Sequence, residues 1–160
     1  CFRFFTVYGP WGRPDMALFN FSENMLINKA IDVYNNGDMI RDFTYIDDLV
    51  DAVLKLIFIV PEKPGNRSKK IINDSLSEIA PWRVVNIGNS TPTKLIDFIN
   101  ALEQALGFKA KKNYMEFQPG DIHATHSDNS LLNSLINFEP KTNLEAGVRK
   151  FVDWYLKYRK

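Results

Sequence analysis

The apolar run Cys1-Phe2-Arg3-Phe4-Phe5-Thr6-Val7-Tyr8 constrains the fold more than any other stretch of the chain. A run of this kind reads as a strand buried on both faces of a parallel sheet. Such a strand needs neighbours on either side, and the remaining sequence offers few. The chain also starts without a methionine. The expectation is therefore the C-terminal part of a larger protein, opened at a sheet strand. Taken alone, that strand would show apolar faces and an unpaired edge, so the isolated chain is expected to self-associate.

Downstream, strands and helices alternate. The loop Gly9-Pro10-Trp11-Gly12-Arg13-Pro14 leads to Asp15, placed to cap a helix from Met16 to about Lys29 with Leu18, Phe21 and Met25 on one side. Ile46, Leu49, Val50, Val53, Leu54 and Ile57 recur at helical spacing, predicting a helix from Ile46 to about Val60 that leaves through Pro61 and Pro64-Gly65. Residues 62–81 form a polar insertion, read as a mobile surface loop whose Asn66–Lys70 charge is solvated rather than ligand-binding. Trp82–Ile87 reads as a strand ending at Gly88-Asn89-Ser90. Thr91 is placed to cap a helix with Pro92 at its first position, Leu95, Ile99, Leu102 and Leu106 as its stripe, and Gly107 at its end. Asn113–Phe117 predicts a short strand, and Gln118-Pro119-Gly120-Asp121 a loop. Asp128 is placed to cap a short helix, and Thr142-x-x-Glu145 to box the start of the last one, which carries Leu144, Val148, Phe151, Tyr155 and Tyr158.

The stretch Val33-Tyr34-Asn35-Asn36-Gly37-Asp38-Met39-Ile40-Arg41-Asp42-Phe43-Thr44-Tyr45-Ile46-Asp47-Asp48 is the densest in signals. It reads as a short strand, a hairpin-like turn at Asn36-Gly37, an extended piece carrying Arg41, and a helix boxed by Thr44-x-x-Asp47. A guanidinium held by backbone on both sides suits a bidentate anion such as phosphate. It equally suits an ion pair with Asp42, Asp47 or Asp48.

Composition narrows the class. The chain has 160 residues, 45% hydrophobic and 24% charged, as in an ordinary globular domain with a real core. A net charge of +1 without a long basic run gives no reason to expect nucleic acid or membrane as partner. The single cysteine, Cys1, excludes an internal disulfide and agrees with a reducing, cytoplasmic setting. The apolar run Val53–Pro61 is too short to span a bilayer. His123 and His126, near Asp121 and Asp128, make a weak metal pattern, and no metal is expected. There is no G-x-G-x-x-G fingerprint, and none of the six tyrosines is followed four residues later by lysine.

Four blocks in order then carry a resemblance: Arg3–Ala17, the Val33–Asp48 stretch, Val85-Asn86-Ile87-Gly88-Asn89-Ser90 and Gln118-Pro119-Gly120-Asp121. Together they resemble the extended short-chain dehydrogenase/reductase (NAD-dependent epimerase/dehydratase) family, most closely its UDP-glucuronate 4-epimerase branch. The resemblance covers nearly the whole chain apart from 62–81. It implies an α/β fold: the C-terminal substrate-binding portion of such an enzyme, residues 1–160, with a leftover Rossmann-sheet strand and loop over 1–14 and no complete Rossmann domain. The NAD-binding domain and the catalytic Tyr-x-x-x-Lys would lie in the missing N-terminal part, so no catalytic residue is expected here and the fragment is expected to be inactive. The parent would be a homodimer.

The same resemblance implies a UDP-sugar site. Arg41 would contact the diphosphate, Gln118 and Asp121 the nucleoside, and Val33 and Tyr34 the uracil, by backbone and ring respectively. Thr6 would approach the sugar. Many relatives carry arginine where Gln118 stands, and this departure resembles the glucuronate branch. Arg13 would clamp the glucuronate carboxylate, unless it pairs with Asp15 in its own loop. Phe5 and Tyr8 would approach the nicotinamide of NAD. The implied reaction is interconversion of UDP-glucuronate and UDP-galacturonate through oxidation and re-reduction at C4. Another epimerase, dehydratase or decarboxylase of the superfamily, or a non-catalytic sugar-nucleotide-binding module, is the alternative.

Overall fold

The computed structural model describes residues 1–63, 65 and 71–160, so the Pro64 exit and the charged Asn66–Lys70 segment lie outside the described residues. The fold is α/β. Its first apolar run divides at Phe5 into β1 (Phe2–Phe4) and β2 (Thr6–Tyr8), because the chain changes partner there. β1 lies parallel to β5 (Val85–Ile87), with Arg3 opposite Asn86. β2 lies parallel to β4 (Ile40–Tyr45), with Thr6 opposite Phe43. β6 (Pro92–Lys94) runs antiparallel along β4, and β3 (Ile31–Val33) lies parallel to β7 (Lys112–Tyr114).

The main core forms where α1 (Ala17–Leu26), α3 (Leu95–Leu106) and α5 (Leu144–Tyr158) cover β2, β3 and β4. Ile99, Leu102, Val148 and Phe151 are buried there, as the helical periodicity predicts, while Tyr158 stays exposed. A second cluster lies between α2 (Ile46–Leu56), α4 (Ser130–Ile136) and β5. Leu49, Ala52 and Leu56 face it; Val50, Leu54 and Ile57 of the predicted stripe face outward. Among the described residues no helix is long and apolar enough to cross a membrane.

Several local expectations are corrected. Burial on both faces is not reached by β1, whose Phe2 and Phe4 are 43% and 51% exposed, because its one paired neighbour among the described residues is β5. Asn36-Gly37 does not join a hairpin: β3 and β4 belong to different sheets, and Tyr34–Gly37 is a tight 3-10 turn between them. Asn35, Asn36 and Gly37 all have positive φ, and a Cβ at Gly37 would lie 2.6 Å from Ile96 Cδ1, so glycine is required there. Pro92 sits in β6 opposite Asp42 rather than at a helix start. Within residues 71–81 Leu76 is buried and Arg83 grips Asp74 through Nε and Nη2 at 2.8 and 2.9 Å, while Ile72 and Ile79 stay exposed.

The proposed caps move as well. Asp15 is taken by Arg13, and α1 starts without a side-chain cap. Thr44 lies inside β4 opposite Val7, and its buried hydroxyl finds no partner among the described residues, so it does not box α2. Asn143, one residue after Thr142, accepts from Ala146 N–H at 2.8 Å and caps α5. Asp128 does serve α4, accepting from Ser130 N–H at 2.9 Å.

Phe2 and Phe4 stack at 6.1 Å on the open side of β1, and Leu54, Ile57 and Phe58 are more than half exposed. Apolar surface of this kind drives association in water. Sedimentation velocity on the isolated chain is expected to show concentration-dependent self-association; a concentration-independent monomer with a cooperative melt would contradict it.

Candidate functional site

A groove of about 320 Å³ opens between the N-terminal end of the β2–β4 pair, α1 and the 3-10 turn. Four of the residues singled out in the sequence meet on it: Thr6, Tyr34, Arg41 and Asp121. Its floor is apolar, from Phe21, Met39, Phe43 and Leu95. Asp15, Asn20 and Asp32 complete the polar lining, and none of these three was named from the sequence as a ligand-binding residue.

Arg41 is held in place on the β4 edge. Its Nη1 donates to the carbonyls of Ile40 and His123 at 3.0 and 3.2 Å, and its Nη2 to Asp121 Oδ1 at 2.8 Å. The ion-pair partner is thus Asp121, eighty residues away, and not Asp42, Asp47 or Asp48. Asp121 is itself set by the Gln118–Asp121 turn, in which its N–H donates to the Gln118 carbonyl at 3.1 Å. The turn backbone continues as a segment laid along β4: Ile40 N–H donates to the His123 carbonyl, and Thr125 N–H to the Ile40 carbonyl. An arginine whose fork is already fixed pays little further entropy to meet an anion.

Asp42 faces the other way, because neighbouring strand residues alternate. It is completely buried and accepts from Asn89 N–H, Ser90 N–H, Ser127 N–H and Ser127 Oγ at 2.7–3.0 Å. This buried carboxylate joins β4 to the turn after β5 and to the segment before α4. The Asp42 N–H donates to Thr125 Oγ1 at 3.1 Å. Sequence reasoning had offered Asp42 only as a partner for Arg41.

Other singled-out residues stand elsewhere. Val33 is fully buried and its carbonyl accepts from Met115 N–H at 3.0 Å, so its side chain does not reach the groove. Gln118 is exposed on its turn and does not line the groove. Arg13 lies beyond the Thr6 end, where its fork grips Asp15. Phe5 borders a neighbouring cavity of about 400 Å³ together with Phe4, Val7, Trp11 and Arg13.

Tyr8 requires correction as a ligand-facing residue. It is buried edge-on against Phe43, Tyr45 and Phe98, with ring centroids 5.6–6.2 Å apart. A Cβ at Gly147 would lie 2.2 Å from its hydroxyl, and the cavity beside it holds only about 30 Å³. That is room for a water, not for a nicotinamide ring. Burial, with Asp48, Tyr45 and Glu145 adding to it, pushes its phenol well above the ordinary tyrosine range. His123 stands 3.3 Å from Asp38, and among the described residues no three His, Cys, Asp or Glu side chains converge as metal ligands would.

Residues 1–71 match the model of the NAD dependent epimerase/dehydratase family. Protein CapI of Staphylococcus aureus is 50% identical over 161 residues, covering 99% of this chain and 47% of its own length. The chain belongs to the NAD-dependent epimerase/dehydratase family. A probable UDP-glucuronate 4-epimerase of Rhizobium meliloti is 46% identical, over 96% of this chain and 45% of the relative. The crystal structure of UDP-glucuronic acid 4-epimerase from Bacillus cereus, in complex with UDP-glucuronic acid and NAD, superposes with a TM-score of 0.79 at 31% identity. It covers 98% of this chain and 45% of that one. The chain thus spans about half the length of the relatives it matches. NAD is the cofactor of this epimerase/dehydratase family. In this member the residues that fit it are few: Phe5 and its apolar cavity offer one wall for a ring, and the chain has no glycine-rich cradle for the dinucleotide phosphates.

Proposed function

We propose that this chain forms the sugar-nucleotide-binding portion of an NAD-dependent epimerase that interconverts UDP-glucuronate and UDP-galacturonate. The observation carrying the reading is the single groove that gathers Thr6, Tyr34, Arg41 and Asp121 from four separate segments. Its support in the family is the likeness to chains named as UDP-glucuronate 4-epimerases.

In this reading Arg41 turns its backbone-held guanidinium toward the diphosphate, where charge-assisted hydrogen bonds are strongest. Asp121 accepts from ribose hydroxyls while keeping Arg41 in register. Tyr34 covers the uracil with its ring, and the Val33 segment supports that ring from the core. Gln118 adds a neutral hydrogen bond at the nucleoside end. Thr6 approaches the sugar from the start of β2, and Arg13 meets the uronate carboxylate with its fork. NAD supplies the oxidant for the C4 hydroxyl and the hydride that returns. The residues of this chain bind and orient, and the chain alone is proposed to be inactive, since it carries no Tyr-x-x-x-Lys pair. A cytoplasmic homodimer belongs to the same proposal.

The test is the full-length protein that carries this chain, given NAD and UDP-glucuronate and followed by anion-exchange chromatography. Formation of UDP-galacturonate is expected. Turnover of UDP-glucose with UDP-glucuronate left unchanged would sink the substrate assignment. Release of a 4,6-dehydrated or decarboxylated sugar would point to another branch of the family.

A further inference from the structure

Arg13 sits between two consecutive tight turns. Gly12 N–H donates to the Gly9 carbonyl at 3.3 Å, and Met16 N–H to the Arg13 carbonyl at 3.1 Å. Within the first of them Trp11 has φ 62°, a conformation that a bulky side chain adopts only when something holds it. What holds it is aromatic: its ring packs at 5.2 Å from Trp154 and 5.8 Å from Tyr158 on α5. The loop backbone is thereby pinned to the last helix, and the Arg13 side chain is left to choose its partner.

Its partner is Asp15. Arg13 Nε donates to Asp15 Oδ1 at 3.1 Å, and Nη2 to Oδ2, a two-point pair. The Arg13 hydrogen bond holds the Asp15 carboxyl below its ordinary range, so it is ionised at neutral pH. The two side chains are 74% and 62% exposed, and pairs as exposed as this one are weak and readily exchanged. Asp15 is at the same time part of the groove lining, at the end where Thr6 stands.

We propose that Asp15 is a placeholder carboxylate: it occupies the Arg13 fork until the carboxylate of a uronic sugar takes its place. The inference rests on the reading of Arg13 as the uronate clamp. A uronate exchanges one two-point pair for another, so Arg13 loses no hydrogen bonds while Asp15 returns to solvent. A neutral hydroxymethyl sugar cannot make that exchange and leaves the pair intact. Asp15 is therefore a specificity-determining residue that acts through Arg13. It competes with the charged sugar and repels its carboxylate, and it leaves the neutral one alone.

The decisive experiment is calorimetry on the full-length protein with NAD, titrated with UDP-glucuronate, UDP-glucose and UDP. Asp15→Asn is expected to bind UDP-glucuronate about twofold to fivefold tighter, the range of a surface ion pair, with UDP-glucose and UDP unchanged. The gain is expected to vanish in the Arg13→Ala background, where no fork remains to be freed. Weaker or unchanged UDP-glucuronate binding by Asp15→Asn overturns the proposal, since a residue that merely orients Arg13 would act with the opposite sign. Unchanged UDP-glucuronate binding by Arg13→Ala alone removes the clamp itself, and the proposal with it. Because the pair is exposed, both variants are expected to fold, and equal melting temperatures verify this.

Discussion

Asp42→Ala is expected to be the most destabilising single change at the site, lowering the melting temperature by on the order of 10 °C. The carboxylate is completely buried and takes four hydrogen bonds, three of them from backbone N–H groups. Each donor left unpaired in the interior costs roughly 1–3 kcal/mol. If water reaches half of them, several kcal/mol still go missing from a total stability of about 5–15 kcal/mol. Ser90 is held at φ 54° by the same carboxylate, so the turn after β5 loses its restraint too. Asp42→Asn keeps one acceptor oxygen but sets an amide N–H₂ against the remaining donors, and is expected to fall between wild type and alanine. Differential scanning calorimetry decides the matter: a shift within about 2 °C for Asp42→Ala would mean that solvent satisfies these donors and the network is not structural.

This network shows where reading the sequence succeeds and where it stops. The helices α1, α3 and α5 were legible because a buried stripe repeats every three or four residues, and Leu18, Ile99 and Phe151 are indeed buried. The caps of α1, α2 and α5 were not, because a one-residue displacement changes which oxygen meets which N–H. Thr44 stays in its strand, Asp15 is drawn to Arg13, and Asn143 caps in place of Thr142. Pro92 fits a helix start and an edge strand equally well, and the free edge of β4 claimed it.

The site divides in the same way. Arg41 and Asp121 are eighty residues apart, so no local pattern could pair them; only the order of whole blocks suggested a shared site. Tyr8 was placed at the nicotinamide by the family resemblance, yet a resemblance does not say which face a helix will cover. Here α3 and α5 cover it. Asp42 was invisible as a buried anchor because its three donor residues lie 47–85 residues downstream. What joins the two findings is β4 itself. One face carries Arg41 toward the groove, and the next residue locks the 121–127 segment against the strand. Anchor and proposed ligand contact are consecutive residues, so the position of Asp121 beside Arg41 depends on a carboxylate that never touches the groove.

Arg41→Ala is the change expected to weaken nucleotide binding most. Hydrogen bonds to a charged group are worth roughly 1.5–3 kcal/mol each, so losing the guanidinium lowers UDP affinity about 10- to 100-fold. The loss has a second component: Asp121, paired to Arg41 at 2.8 Å in wild type, becomes an uncompensated negative charge beside an incoming diphosphate. Arg41→Lys separates the two contributions. It keeps the charge near Asp121 but lacks the planar fork that reaches the Ile40 and His123 carbonyls together, and is expected to recover part of the affinity. Asp121→Asn in the Arg41→Ala background should likewise restore some binding by removing the repulsion. Isothermal titration with UDP reads all four proteins on one scale, and added salt should compress the differences. Equal UDP affinity for wild type and Arg41→Ala would take Arg41 out of the site and leave the Arg41–Asp121 pair as a structural tie between β4 and its neighbouring loop.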